Sequence, residues 1–160
     1  MPGNIESIML DTSVWIDALR GKTPRIVAVT QTLLNDDRIL TCGPVLFEIK
    51  RGLRPPDRKK ILPLLAALIR LSVDEAVWDA AGDLDASLRK KGITIPPMDV
   101  IIAQICLHHK VSLFTLDEHF RSISELKFLE PKAIEIIPVT HHFFQFCSTA
   151  GLDKCKDQPS

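Results

Sequence analysis

The stretch that most constrains this chain runs from Ile95 to Phe120. Pro96 and Pro97 predict a helix start, because proline lacks only an N–H that the first helical turn leaves unbonded anyway. Asp99 then falls in that first turn, where the helix dipole favours a negative charge. From Val100 to Leu107 the residues are apolar almost all the way round, the pattern of a largely buried helix. His108, His109 and Lys110 suit its negative end. Val111-Ser-Leu-Phe-Thr115 predicts an inner strand, and Asp117 stands just past its end. One carboxylate opens a buried helix, and a second follows the next strand.

The arrangement recurs upstream. Ile8-Met-Leu10 reads as a strand ending at Asp11, with Thr12 or Ser13 capping a helix from Val14 to Leu19 that closes before Gly21. Pro24 starts a second helix, whose apolar face carries Ile26, Val27, Val29, Thr30, Leu33 and Leu34. Arg38–Cys42 reads as a second strand, and Gly43-Pro44 opens a third helix to Gly52 with Glu48 in its second turn. Arg54-Pro-Pro-Asp57 reads as a break, then Arg58 to Leu71 as a helix kinked at Pro63. Ser72 or Asp74 caps another helix, which ends at Arg89-Lys-Lys before Gly92, and Ala133–Ile137 reads as a last short strand. Short apolar strands alternating with helices predict an α/β fold, an α/β/α sandwich around a short, mostly parallel sheet.

A chain of 160 residues is expected to form one main domain. Lysine plus arginine equals aspartate plus glutamate, 20 against 20, which argues against broad, sequence-blind nucleic-acid binding but not against a local basic stripe. No apolar run approaches the ~20 residues of a membrane span, and the first residues lack the pattern of a secretory signal. Cys42, Cys106, Cys147 and Cys155 are widely spaced, so buried thiols in a reducing cytoplasm are the expectation.

In open parallel sheets ligands bind beyond the carboxyl ends of the strands. Asp11 and Asp117 are placed there directly. Glu48 and Asp99 lie within the first turn or two of helices, and helices that follow strands begin on the same edge. No lysine or arginine follows that placement rule, so four acids would crowd one rim without a built-in counter-ion. Crowded carboxylates must take up protons or a cation, and a hard divalent ion with oxygen ligands, Mg²⁺ or Mn²⁺, meets the need. Hydrolysis of a phosphodiester follows from such a site. Ser13 and Thr115, beside the acids, can donate to a carboxylate or to a phosphate oxygen.

These residues resemble those of PIN-domain ribonucleases, and within them the VapC-type toxins of bacterial type II toxin–antitoxin pairs. The resemblance rests on Leu10-Asp-Thr-Ser-Val-Trp-Ile-Asp17, Gly43-Pro-Val-Leu-Phe-Glu-Ile-Lys-Arg-Gly52, Gly92-Ile-Thr-Ile-Pro-Pro-Met-Asp-Val-Ile-Ile-Ala103 and Leu113-Phe-Thr-Leu-Asp-Glu-His-Phe120, in that order. It implies a PIN-like nuclease domain over residues 1–139, with 140–160 as a C-terminal extension. It implies that Asp11, Glu48, Asp99 and Asp117 form the catalytic metal site, Asp11 and Asp99 foremost. It also implies Mg²⁺- or Mn²⁺-dependent cleavage of RNA such as tRNA, a homodimer, and a cognate antitoxin through which alone DNA is engaged. After Asp99 the helix is less rich in alanine than in many relatives, which bears on dimer packing.

Blander readings stand beside these. Asp17 reads as an exposed helix residue, and Trp15 and Trp78 as core or dimer residues. Arg51 reads as a phosphate contact, and Lys50, Arg54 and Arg58 as a track for the RNA backbone, where a solvated charge run is the alternative. His141, His142, Cys147 and Cys155 fit no standard zinc spacing. A catalytically silent PIN-fold module that binds RNA or protein is the competing class. A phosphoaspartate enzyme is more distant, because Asp11-Thr-Ser13 lacks a paired acid.

Overall fold

The computed structural model describes residues 6–136. Strand β1 (Ile8–Leu10) leads through helices α1 (Thr12–Leu19) and α2 (Pro24–Asn35) to β2 (Ile39–Thr41). Helices α3 (Gly43–Gly52) and α4 (Pro55–Ala67) follow, then β3 (Ile69–Arg70), α5 (Glu75–Lys90), α6 (Pro97–His109) and β4 (Ser112–Phe114). Two short 3-10 turns, Glu118–Ser122 and Pro131–Ala133, close the described chain.

Proline sets most of the helix starts: α2, α3, α4 and α6 each carry one in the first two positions. The helix ends use left-handed residues, Gly21 after α1, Gly92 after α5, and Lys110 after α6 with φ of 56°. The four strands form one parallel sheet in the order β3-β2-β1-β4. Residues Ile8, Met9 and Leu10 of the inner strand β1 are fully buried, as expected for a strand covered on both faces. The chain runs from β1 outward to β2 and β3, then crosses back to β4 on the other side. With right-handed crossovers, that reversal changes the face on which the connecting helices lie. It also makes the gap between β1 and β4 the switch point where such sheets open a cleft.

Several expectations give way. The predicted helix Arg58–Leu71 begins at Pro55, because the two prolines read as a break instead supply a helix start. It ends at Ala67, and Ile69–Arg70 pair with β2 as a two-residue edge strand. The predicted strand Ala133–Ile137 is absent over its described part: Ala133 lies in a 3-10 turn and Ile134–Ile136 are irregular. Beyond β4, among the described residues, only an isolated bridge joins Leu113 to Phe128. Asp11, not Thr12 or Ser13, is the cap of α1.

Asp17 is buried rather than exposed: its carboxylate accepts from the backbone N–H of Thr23 at 3.1 Å and the Thr23 hydroxyl at 2.9 Å, tying α1 to the start of α2. Trp15 is in the core, whereas Trp78 is 50% exposed. Cys42 and Cys106 are buried free thiols, and burial pushes the Cys42 thiol up to about 11. Among the described residues no helix is long and apolar enough to cross a membrane. The boundary at residue 139, the extension 140–160 and the His141, His142, Cys147 and Cys155 group lie outside the described residues.

Candidate active site

Asp11 follows the inner strand directly and is only 2% exposed. One of its oxygens, Oδ2, accepts three hydrogen bonds: from the Ser13 hydroxyl at 2.6 Å, the Ser13 backbone N–H at 3.3 Å and the Thr115 hydroxyl at 2.9 Å. The same two hydroxyl oxygens accept from the backbone, Ser13 Oγ from Leu116 N–H and Thr115 Oγ1 from Asp117 N–H. Each hydroxyl has a single proton, and both protons go to Asp11. The loop after β4 is therefore stitched to the end of β1. Asp11 also lines the cleft, where a hydrogen bond between its side chain and that of Asp117 helps to raise the pKa of Asp117.

That cleft has a volume of about 580 Å³ and is lined by Asp11, Thr12, Ser13, Ile16, Glu48, Arg51, Gly52, Pro96, Asp99 and Asp117. All four predicted acids thus face one space. Helix α3 brings in Glu48, whose Oε2 accepts from the Thr12 hydroxyl at 2.6 Å. Helix α6 brings in Asp99 from its first turn, and Asp99 Oδ2 lies 2.7 Å from His119 Nε2. Asp117 stands at the rim as an exposed residue, with its carboxyl toward the cleft.

Thr12 and His119 were not singled out as site residues in the sequence. Thr12 was visible only as a cap. The one sequence signal for His119 was its place two residues after an acid; its partner lies 20 residues away.

The electrostatics are those of an acid cluster short of cations. Burial raises the pKa of Asp99 above 3.8; the His119 hydrogen bond opposes this, and the charges of Asp11 and Glu48 add to it. Loss of water within the cleft also leads for Asp117, with Asp11 pushing the same way. Carboxyls held this way favour a proton or a cation. Contrary to the placement rule, one arginine does reach the site: Arg51, near the C-terminus of α3, lines the cleft.

Two other residues of the predicted basic track have partners elsewhere. Arg54 pairs with buried Asp57 at 2.9 Å, and Arg58 donates to the Lys50 carbonyl at 2.8 Å, closing the end of α3. The Lys50 side chain is exposed.

The donor set suits a hard divalent ion: carboxylate oxygens from Asp11, Glu48, Asp99 and Asp117, with no thiol among the cleft-lining side chains. Among the described residues no three His, Cys, Asp or Glu side chains are drawn tightly enough together to enclose an ion. A cation of the Mg²⁺ type does not need that, since it keeps several waters and binds through one or two carboxylates. The carboxylates of Asp11, Glu48 and Asp99, all lining the cleft, meet that requirement.

A sequence profile of the PIN domain matches residues 8–126, nearly the whole described chain. This chain belongs to the PIN domain family. It is similar to Ribonuclease VapC19 of Mycobacterium tuberculosis, with 24% identity over 120 residues spanning 74% of this chain and 96% of that protein. Its fold is similar to that of DNA-bound VapBC from Salmonella typhimurium, with a TM-score of 0.67 and 23% identity over 79% of this chain and 98% of that one. It is also similar to FitAcB from Neisseria gonorrhoeae, with a TM-score of 0.63 and 23% identity over 79% and 99% of the two chains. The resemblance noted in the sequence therefore extends to the fold.

Proposed function

We propose that this chain is a metal-dependent endoribonuclease, the toxin of a VapC-type toxin–antitoxin pair, acting in the cytoplasm on structured RNA such as tRNA. The observation that supports this best is the meeting of Asp11, Glu48, Asp99 and Asp117 in one cleft. Membership of the PIN family and similarity to a VapC ribonuclease point the same way. A cognate antitoxin, with DNA reached only through it, and a homodimer complete the reading.

In this reading Asp11 and Asp99 are the main ligands of Mg²⁺ or Mn²⁺, assisted by Glu48 and Asp117. When bound, such an ion lowers the pKa of a water and offsets charge on the attacked phosphate. The chain's own residues do the rest. Asp11 is fixed by Ser13 and Thr115, so the site is preorganised around it. Those two hydroxyls have committed their protons to Asp11 and act as its supports rather than as donors to phosphate. Arg51, across the cleft, is the phosphate contact, suited to it by a planar fork of donors. Asp117, at the solvent rim, orients the water or takes its proton.

Incubation of the purified chain with tRNA should give discrete fragments in Mg²⁺ or Mn²⁺ and none in a chelator. Asp11→Asn and Asp99→Asn should each reduce cleavage by more than ~100-fold, the upper range for losing only a supporting partner of a metal ligand. Full cleavage in the chelator, or by both variants, would sink the proposal.

A further inference from the structure

We propose that His119 is a positioning residue for Asp99, holding one carboxylate oxygen so that the other stays presented to the cation of the cleft. The inference rests on the nuclease reading above and deepens it. His119 Nε2 lies 2.7 Å from Asp99 Oδ2, and Asp99 Oδ1 has no donor among the described residues.

The imidazole is placed by a firm element. It sits in the 3-10 turn Glu118–Ser122, next to Phe120, whose fully buried ring it stacks upon at 5.0 Å with 25° between the planes. Its own side chain is 35% exposed, so core packing does not account for a histidine here. The hydrogen bond does.

The neighbouring acids show the same device. Asp11 has Oδ2 tied by Ser13 and Thr115, and Glu48 has Oε2 tied by Thr12. Three carboxylates from three separate elements are each fastened on one side. A carboxylate tied this way cannot turn to offer both oxygens, which suits a small ion that keeps its waters. His119 also links the loop after β4 to the start of α6. Asp99 is thereby held relative to Asp117 as well as to its own helix.

The test is Mn²⁺ binding by the full chain, followed by the electron paramagnetic resonance of free Mn²⁺, for wild type, His119→Gln, His119→Asn and His119→Ala. Glutamine sets its amide nitrogen where Nε2 stood, whereas asparagine stops short with similar polarity. Alanine and asparagine should weaken Mn²⁺ binding by about 10–100-fold, the usual cost of losing such a supporting partner, and glutamine should restore most of it. Equal affinity in all four proteins, or equal losses for glutamine and asparagine, overturns the role of His119 while leaving the nuclease reading intact. A wild-type chain that takes up no Mn²⁺ overturns the metal-dependent reading, and this inference with it.

Discussion

The two walls of the cleft are built to different tolerances. On the β1–β4 side, Asp11 is buried at 2% exposure and its inner oxygen is held by two hydroxyls and a backbone N–H. On the α3 side, Glu48 is half-buried with a single tie to Thr12, and Arg51 is exposed. A charge that must not move is placed at the end of a central strand. The arginine proposed to meet RNA, Arg51, is placed on the exposed last turn of α3. In the nuclease reading proposed above, the first wall sets the chemistry and the second meets the substrate.

Substitutions on the two walls should separate these roles. The largest effect belongs to the fixed wall: Ser13→Ala with Thr115→Val removes both hydroxyl donors from Asp11. Loss of such supports should lower kcat for RNA cleavage by about 10–100-fold with KM little changed. Single-turnover kinetics would show it, and a change confined to KM would reverse the assignment of the walls. Arg51→Ala, on the open wall, should raise KM by roughly tenfold and reduce the salt slope of RNA binding by about one. An unchanged salt slope would remove Arg51 from the phosphate contact.

The smallest effect concerns Asp117. Its folded pKa is raised above 3.8, so the fold favours the protonated form, and cation-free stability falls as pH rises through that raised value. Asp117→Asn should therefore stabilise the cation-free protein at neutral pH, by on the order of 0.5 kcal/mol given its exposure. The gain should vanish near pH 3, where the wild-type carboxyl is protonated. Urea unfolding at the two pH values would reveal it, and equal stability at neutral pH would refute the sign.

Much of the cleft was legible because its acids sit where the backbone alone dictates position. Asp11 and Asp117 follow strands, Asp99 opens a proline-started helix, and Glu48 lies in the second turn of another. What remained hidden depends on side chains meeting across the fold. Thr12 reaches Glu48 36 residues away, and His119 reaches Asp99 20 residues away, distances at which no periodicity speaks. Asp17 looked like a surface acid because nothing in its helix shows that Thr23 turns back to it. Strand β3 was lost for another reason: two residues are too few to interrupt a helical pattern, and both are exposed at the sheet edge.

The stitching of Asp11 to the loop after β4 has a consequence for how the protein is made. Thr115, which donates to Asp11, and Asp117, which shares its cleft, leave the ribosome more than a hundred residues after it. A nascent chain that has not yet released β4 exposes one edge of β1 and has no finished site. In the nuclease reading proposed above, a growing polypeptide cannot cut RNA until β4 and the loop after it have emerged.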